Sequence, residues 1–219
     1  MEQSHKKTAL QIILLYIFVQ LATVLTAQFL PESIRTDGVI WSNLLFFTLG
    51  AVGMIYLNQK KDFTFSFEKP FRSNIPEIIL WGFLGLIIAL FAQFIATMIE
   101  INFLGASQDS QNTQNIIAII KQYPYFLLLS SIAGPIMEEF VFRKAIFGMG
   151  LEKIGGIGAA VVSSLMFAVI HFDGRILVYS TMGLVFSWLY FKTKNIWTPI
   201  IAHCLMNTAA VIGNLILNN

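Results

Sequence analysis

Two adjacent carboxylates, Glu138 and Glu139, stand just ahead of a guanidinium at Arg143, inside an otherwise apolar stretch from Ile132 to Gly148. Translocon-type scales assign about 2.5–3.5 kcal/mol to one such side chain at the centre of a bilayer. Three of them so close together require partners, water or a function. At about 100° per helical residue, Glu139 and Arg143 lie on nearly one face and can pair, whereas Glu138 is turned about 140° away from Arg143. Arg143 can therefore neutralise one carboxylate and leave the other to take a proton from water.

Further polar groups recur at helical spacing. His171 follows Phe167 by one turn, and His203 and Asn207 are again four residues apart. The chain thus offers a free carboxylate, two imidazoles and a carboxamide, which are parts suited to hydrolysis. Two neutral imidazoles can hold a metal or orient a water molecule. A carboxamide N–H can stabilise an oxyanion, and loss of such a donor typically lowers a rate by about 10²–10³-fold. No His-Glu-x-x-His run is present, so the zinc chemistry of soluble metalloproteases is not indicated. Each part also has a structural use. Glu139 with Arg143 can be a buried ion pair, His171 a hydrogen-bonded histidine at a span end, and His203 with Asn207 a polar link between helices. Cys204 reads as a small packing residue, because apolar surroundings disfavour the thiolate, and His5 as part of a tail. Their ordered co-occurrence is what favours the functional reading.

These groups have to be carried by helices in a membrane. Of 219 residues 56% are hydrophobic and 12% charged, with mean hydropathy +0.71, whereas a soluble domain is nearer a quarter charged. Uncharged runs of about 20 residues match a hydrocarbon core about 30 Å thick. The pattern predicts an all-α, multi-pass bundle of about seven spans, at residues 8–30, 39–57, 78–99, 124–150, 155–172, 176–191 and 196–217. The first run lacks a small-residue cleavage site and reads as a retained helix. Residues 31–38 read as a connection. Phe63, Phe65 and Phe67 alternate with polar residues, as in a loop that dips aromatics into the headgroups. Gly82 and Gly85 suit close helix packing. Residues 116–122 are amphipathic and are expected along the interface. Pro135 lacks an N–H and should loosen the helix just ahead of the carboxylates.

A single cysteine excludes an intrachain disulfide and a thiolate metal cluster. A net charge of +2, carried at helix ends, points to no nucleic-acid partner. Lys6, Lys7, the basic residues from Lys60 to Arg72, Lys144, Lys153, Lys192 and Lys194 fall on one side of this count, against Arg35, Lys121 and Arg175 on the other. The positive-inside rule then places the N-terminus in the cytoplasm and the C-terminus outside.

In type, order and approximate spacing, Glu138-Glu139-x-x-x-Arg143, Phe167-x-x-x-His171 and His203-x-x-x-Asn207 resemble the three motifs of the CPBP family, the CAAX prenyl endopeptidases and Abi-type bacteriocin-processing membrane proteins. The resemblance covers residues 123–210 and implies a catalytic helical core over 123–219, preceded by helices and interfacial segments over 1–122. It implies an intramembrane endopeptidase of the cell membrane acting on a peptide or membrane-protein substrate, in peptide maturation, pheromone processing or bacteriocin immunity. Carried over to these residues, it implies that Glu138 activates water and that Glu139 is held by Arg143. His171 and His203 would bind a divalent metal (zinc, with Glu138 as a third ligand) or position the water, and Asn207 would stabilise the oxyanion. A metal-free mechanism stays open beside the metal-bound one. So do two other classes: a membrane scaffold regulating a partner such as a sensor kinase, and an ion-coupled transporter, although no inverted repeat is visible.

Overall fold

A computed structural model describes residues 2–69, 75–107 and 110–217. Arg72, counted above in the basic loop, lies outside them. Among the described residues the chain forms helices joined by short turns: α1 (Glu2–Phe29), α2 (Glu32–Lys60), α3 (Ile75–Leu104), the amphipathic α4 (Gln111–Gln122), a long helical run Phe126–Val169, then α7 (Ile176–Thr193) and α8 (Trp197–Leu217). The long run is broken at Gly155, where φ is 72° and ψ 170°. That region of backbone space is essentially reserved for glycine, so Gly155 separates α5 (126–154) from α6 (156–169).

Among the described residues five helices are long and apolar enough to cross a membrane: α1, α2, α3, the Phe126–Val169 run and α8. With α5 and α6 taken separately and α7 added, the seven rods of the sequence reading are recovered. α7 falls outside the five because it carries Tyr179, Ser180, Ser187 and Tyr190. It can do so because its polar face meets protein, packed against α3 and α6, with Tyr190 and Ser187 fully buried, while Leu184, Trp188 and Phe191 face outward. α8 lies against α3, while α1 pairs with α2 and leans on α5. Gly82 and Gly85 of α3 face Ile201 and Leu189, each with no room for a Cβ. Large apolar side chains such as Phe18, Trp41, Leu49 and Phe91 point outward, the surface a helix presents to acyl chains.

Two boundaries differ from expectation. The segment 31–38 is mostly helix, because Pro31 precedes the first turn of α2 and Glu32 sits within that turn, both favourable there. Phe63 and Phe65 do not reach toward headgroups. They are buried under the bundle, with His5 edge-on to both at 5.6 Å. The physical reason is Glu68, whose carboxylate accepts from Lys144 Nζ of α5 at 2.6 and 2.5 Å. That buried ion pair draws the segment inward. Lys69 N–H then donates to the Lys194 carbonyl at 2.8 Å. One end of the bundle is thereby closed.

Candidate active site

α5 is wound unusually. Leu129–Ala133 and Glu139–Phe147 are π-helical, and they flank Pro135 in the short α-helical piece Gly134–Glu138. Proline removes one rung of the ladder, and widened turns of this kind occur mainly at functional sites. The expected loosening at Pro135 is present, and it reaches the carboxylates themselves. In a turn closed by i→i+5 bonds, residues four apart come nearer to one full turn than in an α-helix. Glu139 and Arg143 are accordingly aligned, with Arg143 Nη1 donating to Glu139 Oε1 at 3.0 Å and both side chains at 0% exposure. The guanidinium also lies 4.4 Å from the Phe167 ring centroid and 5.2 Å from that of Phe186, an arrangement that favours a desolvated cation.

The same Glu139 oxygen accepts a hydrogen bond from His203 Nδ1 at 2.8 Å. A carboxylate only accepts, so Nδ1 carries the proton. His203 Nε2 is thereby turned to Glu138, whose Oε2 is 3.7 Å away. The His203 ring is held by stacking on Phe186, with centroids 4.7 Å apart. His171 repeats the device: its Nδ1 lies 2.8 Å from the Phe167 carbonyl, which likewise assigns the proton to Nδ1 and the lone pair to Nε2. Its ring stacks on Tyr179, with centroids 3.7 Å apart. Asn207 donates one N–H of its carboxamide to the Ser130 carbonyl at 3.0 Å, which fixes the direction of the other.

Glu138, His171, His203 and Asn207 all line one cavity of about 510 Å³, a size typical of small-ligand sites. Glu139 and Arg143 stand behind its wall. The six residues singled out from the sequence are therefore brought together by α5, α6 and α8, together with the turn after α6. The cavity also draws Tyr16 and Gln20 from α1, Asn43 from α2, Gln93 from α3 and Asn112 from α4. Sequence reasoning missed Tyr179 and Phe186, which hold the two imidazoles flat. Among 20 phenylalanines and 6 tyrosines, nothing in spacing marks those two.

The donor atoms left facing the cavity suit a divalent ion: a carboxylate and two Nε2 lone pairs, each imidazole oriented through its other nitrogen. Their spacing does not. Among the described residues no group of three His, Cys, Asp or Glu side chains is gathered closely enough to hold a metal. The residues as placed therefore do not form the three-ligand zinc site that the resemblance implies.

Comparison with known proteins follows the same lines. Residues 120–209 match the family model of the Rce1-like type II CAAX prenyl endopeptidases. The membrane-embedded CAAX protease MroQ of Staphylococcus aureus is 35% identical over 216 residues, which cover 93% of this chain and 87% of MroQ. The putative membrane peptidase YdiL of Bacillus subtilis is 45% identical over 145 residues, 66% of this chain but only 59% of YdiL. No solved structure matches. With its multi-pass helices, its motifs in register and a relative aligned along nearly its whole length, this chain belongs to the Rce1-like family of membrane-embedded CAAX proteases.

Proposed function

We propose that the protein is an intramembrane endopeptidase in which Glu138 activates water for attack on a peptide bond. One observation carries the reading: His203 is anchored through Nδ1 to a carboxylate already neutralised by Arg143, while its Nε2 faces a second, cavity-lining carboxylate. In this scheme a water molecule between Glu138 and His203 gives a proton to the Glu138 carboxylate, and its oxygen bonds to the scissile carbonyl carbon. The resulting oxyanion is stabilised by the remaining Asn207 N–H, and His171 orients the substrate. As the C–N bond breaks, the proton on Glu138 passes to the leaving amine, which returns the carboxylate to its starting state. General acid–base steps of this kind typically contribute about 10²–10⁴-fold.

No step in this scheme passes through a metal. Chelation followed by exchange into metal-free buffer is expected to leave cleavage within about twofold. Loss of activity that zinc alone restores would bring an ion back to Glu138, His171 and His203. The physiological role we favour is maturation of a peptide. The deciding experiment compares the wild type with Glu138→Ala, His171→Ala and His203→Ala at matched levels, with mass spectrometry of uncut peptide precursors. A peptidase accumulates the same precursor in all three. A scaffold would survive all three and fail with substitutions on its lipid-facing surface.

A further inference from the structure

The bundle has two chemically distinct ends, and the cavity reaches only one of them. α1 begins and α2 finishes at the end where Glu68 meets Lys144, Lys69 meets Lys194, and Lys192 lies 4.4 Å from the Trp81 ring. Lys60, Lys61 and the paired Lys6 and Lys7 belong to that end by chain position. The opposite end is held together differently. Tyr123 of the turn after α4 donates to Asp37, Ser110 donates to Asp173 at 2.8 Å, and Arg175 is paired with Glu100 at 3.2 Å. From Glu138 at its floor, the cavity runs along Asn207 and Asn214 of α8 and Gln93 and Thr97 of α3. Its lining extends to Ser110, Asn112 and Gln114 at this second end and includes none of the residues that close the lysine-rich one.

We infer that the site is loaded from the extracytoplasmic face, and that it takes an uncharged peptide segment in extended form. The inference about the peptide rests on the peptidase reading, whereas the side of access does not. Lysine-rich ends stay in the cytoplasm because translocating them is costly, so the other end, toward which the cavity lining extends, faces outward. The lining is rich in carboxamides: it holds Gln20, Gln93 and Gln114, and also Asn43 and Asn112, which give one N–H to Val39 and Tyr179 respectively and have a second. A carboxamide carries the same acceptor and donor types as a peptide group. A substrate must unwind before its scissile carbonyl can be attacked, and an unwound backbone in a low-dielectric site needs replacement partners. Carboxamides supply them without charge. Arg175, among the described residues the one Lys or Arg in the lining, is committed to Glu100 and to the Ser107 carbonyl, and the two imidazoles are neutral in this reading, so the wall offers no counter-ion for an acidic side chain.

The test has two arms. In a Cys204→Ser background, Gln114→Cys and Lys61→Cys are exposed in intact cells to a membrane-impermeant maleimide. Gln114→Cys is expected to react at once, and Lys61→Cys only after permeabilisation. The reverse pattern, or reaction of Lys61→Cys in intact cells, overturns the outward-facing mouth. The second arm adds quenched peptides of one length, with a neutral centre or with a single Lys or Glu there, to right-side-out vesicles. Cleavage of the neutral peptide at least about tenfold faster is expected, and equal rates would overturn the carboxamide argument. If no peptide is cut while the labelling pattern holds, the outward mouth stands and the peptidase reading falls.

Discussion

Glu138 and Glu139 are neighbours in sequence and opposites in environment. Glu139 is fully buried between Arg143 and His203, while the Glu138 side chain keeps 18% of its surface and lines the cavity. Glu138→Gln removes the base we propose and little else. Cleavage should fall by about 10²–10⁴-fold with the melting temperature unchanged, as read by kcat/KM beside a thermal scan. A retained rate would end the glutamate-activated mechanism. Glu139→Gln acts on folding instead. Removing one partner of a buried ion pair leaves the other uncompensated and typically costs about 3–5 kcal/mol. The double variant Glu139→Leu/Arg143→Met, with neither charge left buried, should be more stable than Glu139→Gln yet stay inactive, because His203 Nδ1 has lost its acceptor. This division was legible from spacing alone, since positions four apart share a helical face and positions five apart do not. The partners of the imidazoles were not legible. Stacking depends on which of many aromatics arrive from another helix, and one chain's spacing carries no information about that.

The rods that carry these residues were legible, because runs of apolar residues between charged turns have few other uses, but the first three run up to seven residues past the expected bounds into polar sequence. Their irregularities were less so. Glu139–Phe147 has the hydrophobic pattern of an ordinary helix, and only Pro135 hinted that its turns widen. Gly155 is a clear case of a residue whose conformation, not its contacts, matters: a Cβ there would meet open space. Gly155→Ala should nevertheless destabilise the fold by about 1–3 kcal/mol through backbone strain. Gly183 is the opposite case, with its Cβ position only 2.8 Å from the Ser164 Cα of α6. Gly183→Leu should force α6 from α7, loosen the Tyr179–His171 stack and lower both stability and activity. The check is thermal unfolding of both variants in one detergent. If Gly155→Ala proves neutral, the break between α5 and α6 needs another cause.

Taken across the bundle, the two ends are closed by different means, and the difference follows from what each has to exclude. At the lysine-rich end, aromatic residues and a buried ion pair seal the interior under α5. At the other end α4 covers the bundle against α8 and the start of α5, with its apolar Ile117 and Ile120 turned inward and polar tethers holding its start. Its N-cap Ser110 accepts from Thr113 N–H at 3.1 Å while donating to Asp173 Oδ2, and Tyr179 donates to that same oxygen at 3.0 Å. The amphipathic pattern of residues 116–122 announced a helix at an interface. It could not announce Asp173, which lies some sixty positions along the chain and acts through geometry alone. Since Tyr179 also stacks on His171, one carboxylate links the cover of the cavity to an imidazole inside it. Asp173→Ala should therefore free α4 before anything else. A hydrogen bond to a charged group contributes about 1.5–3 kcal/mol, so amide exchange across Gln111–Gln122 should quicken by roughly ten- to a hundredfold, while that of Glu139–Phe147 is unchanged. KM should rise more than kcat falls, because Asn112 and Gln114 move with α4 whereas Glu138 and His203 stay anchored to α5 and α8. Equal acceleration of exchange in both segments would mean that Asp173 stabilises the whole bundle, and α4 would then be a fixed wall of the cavity.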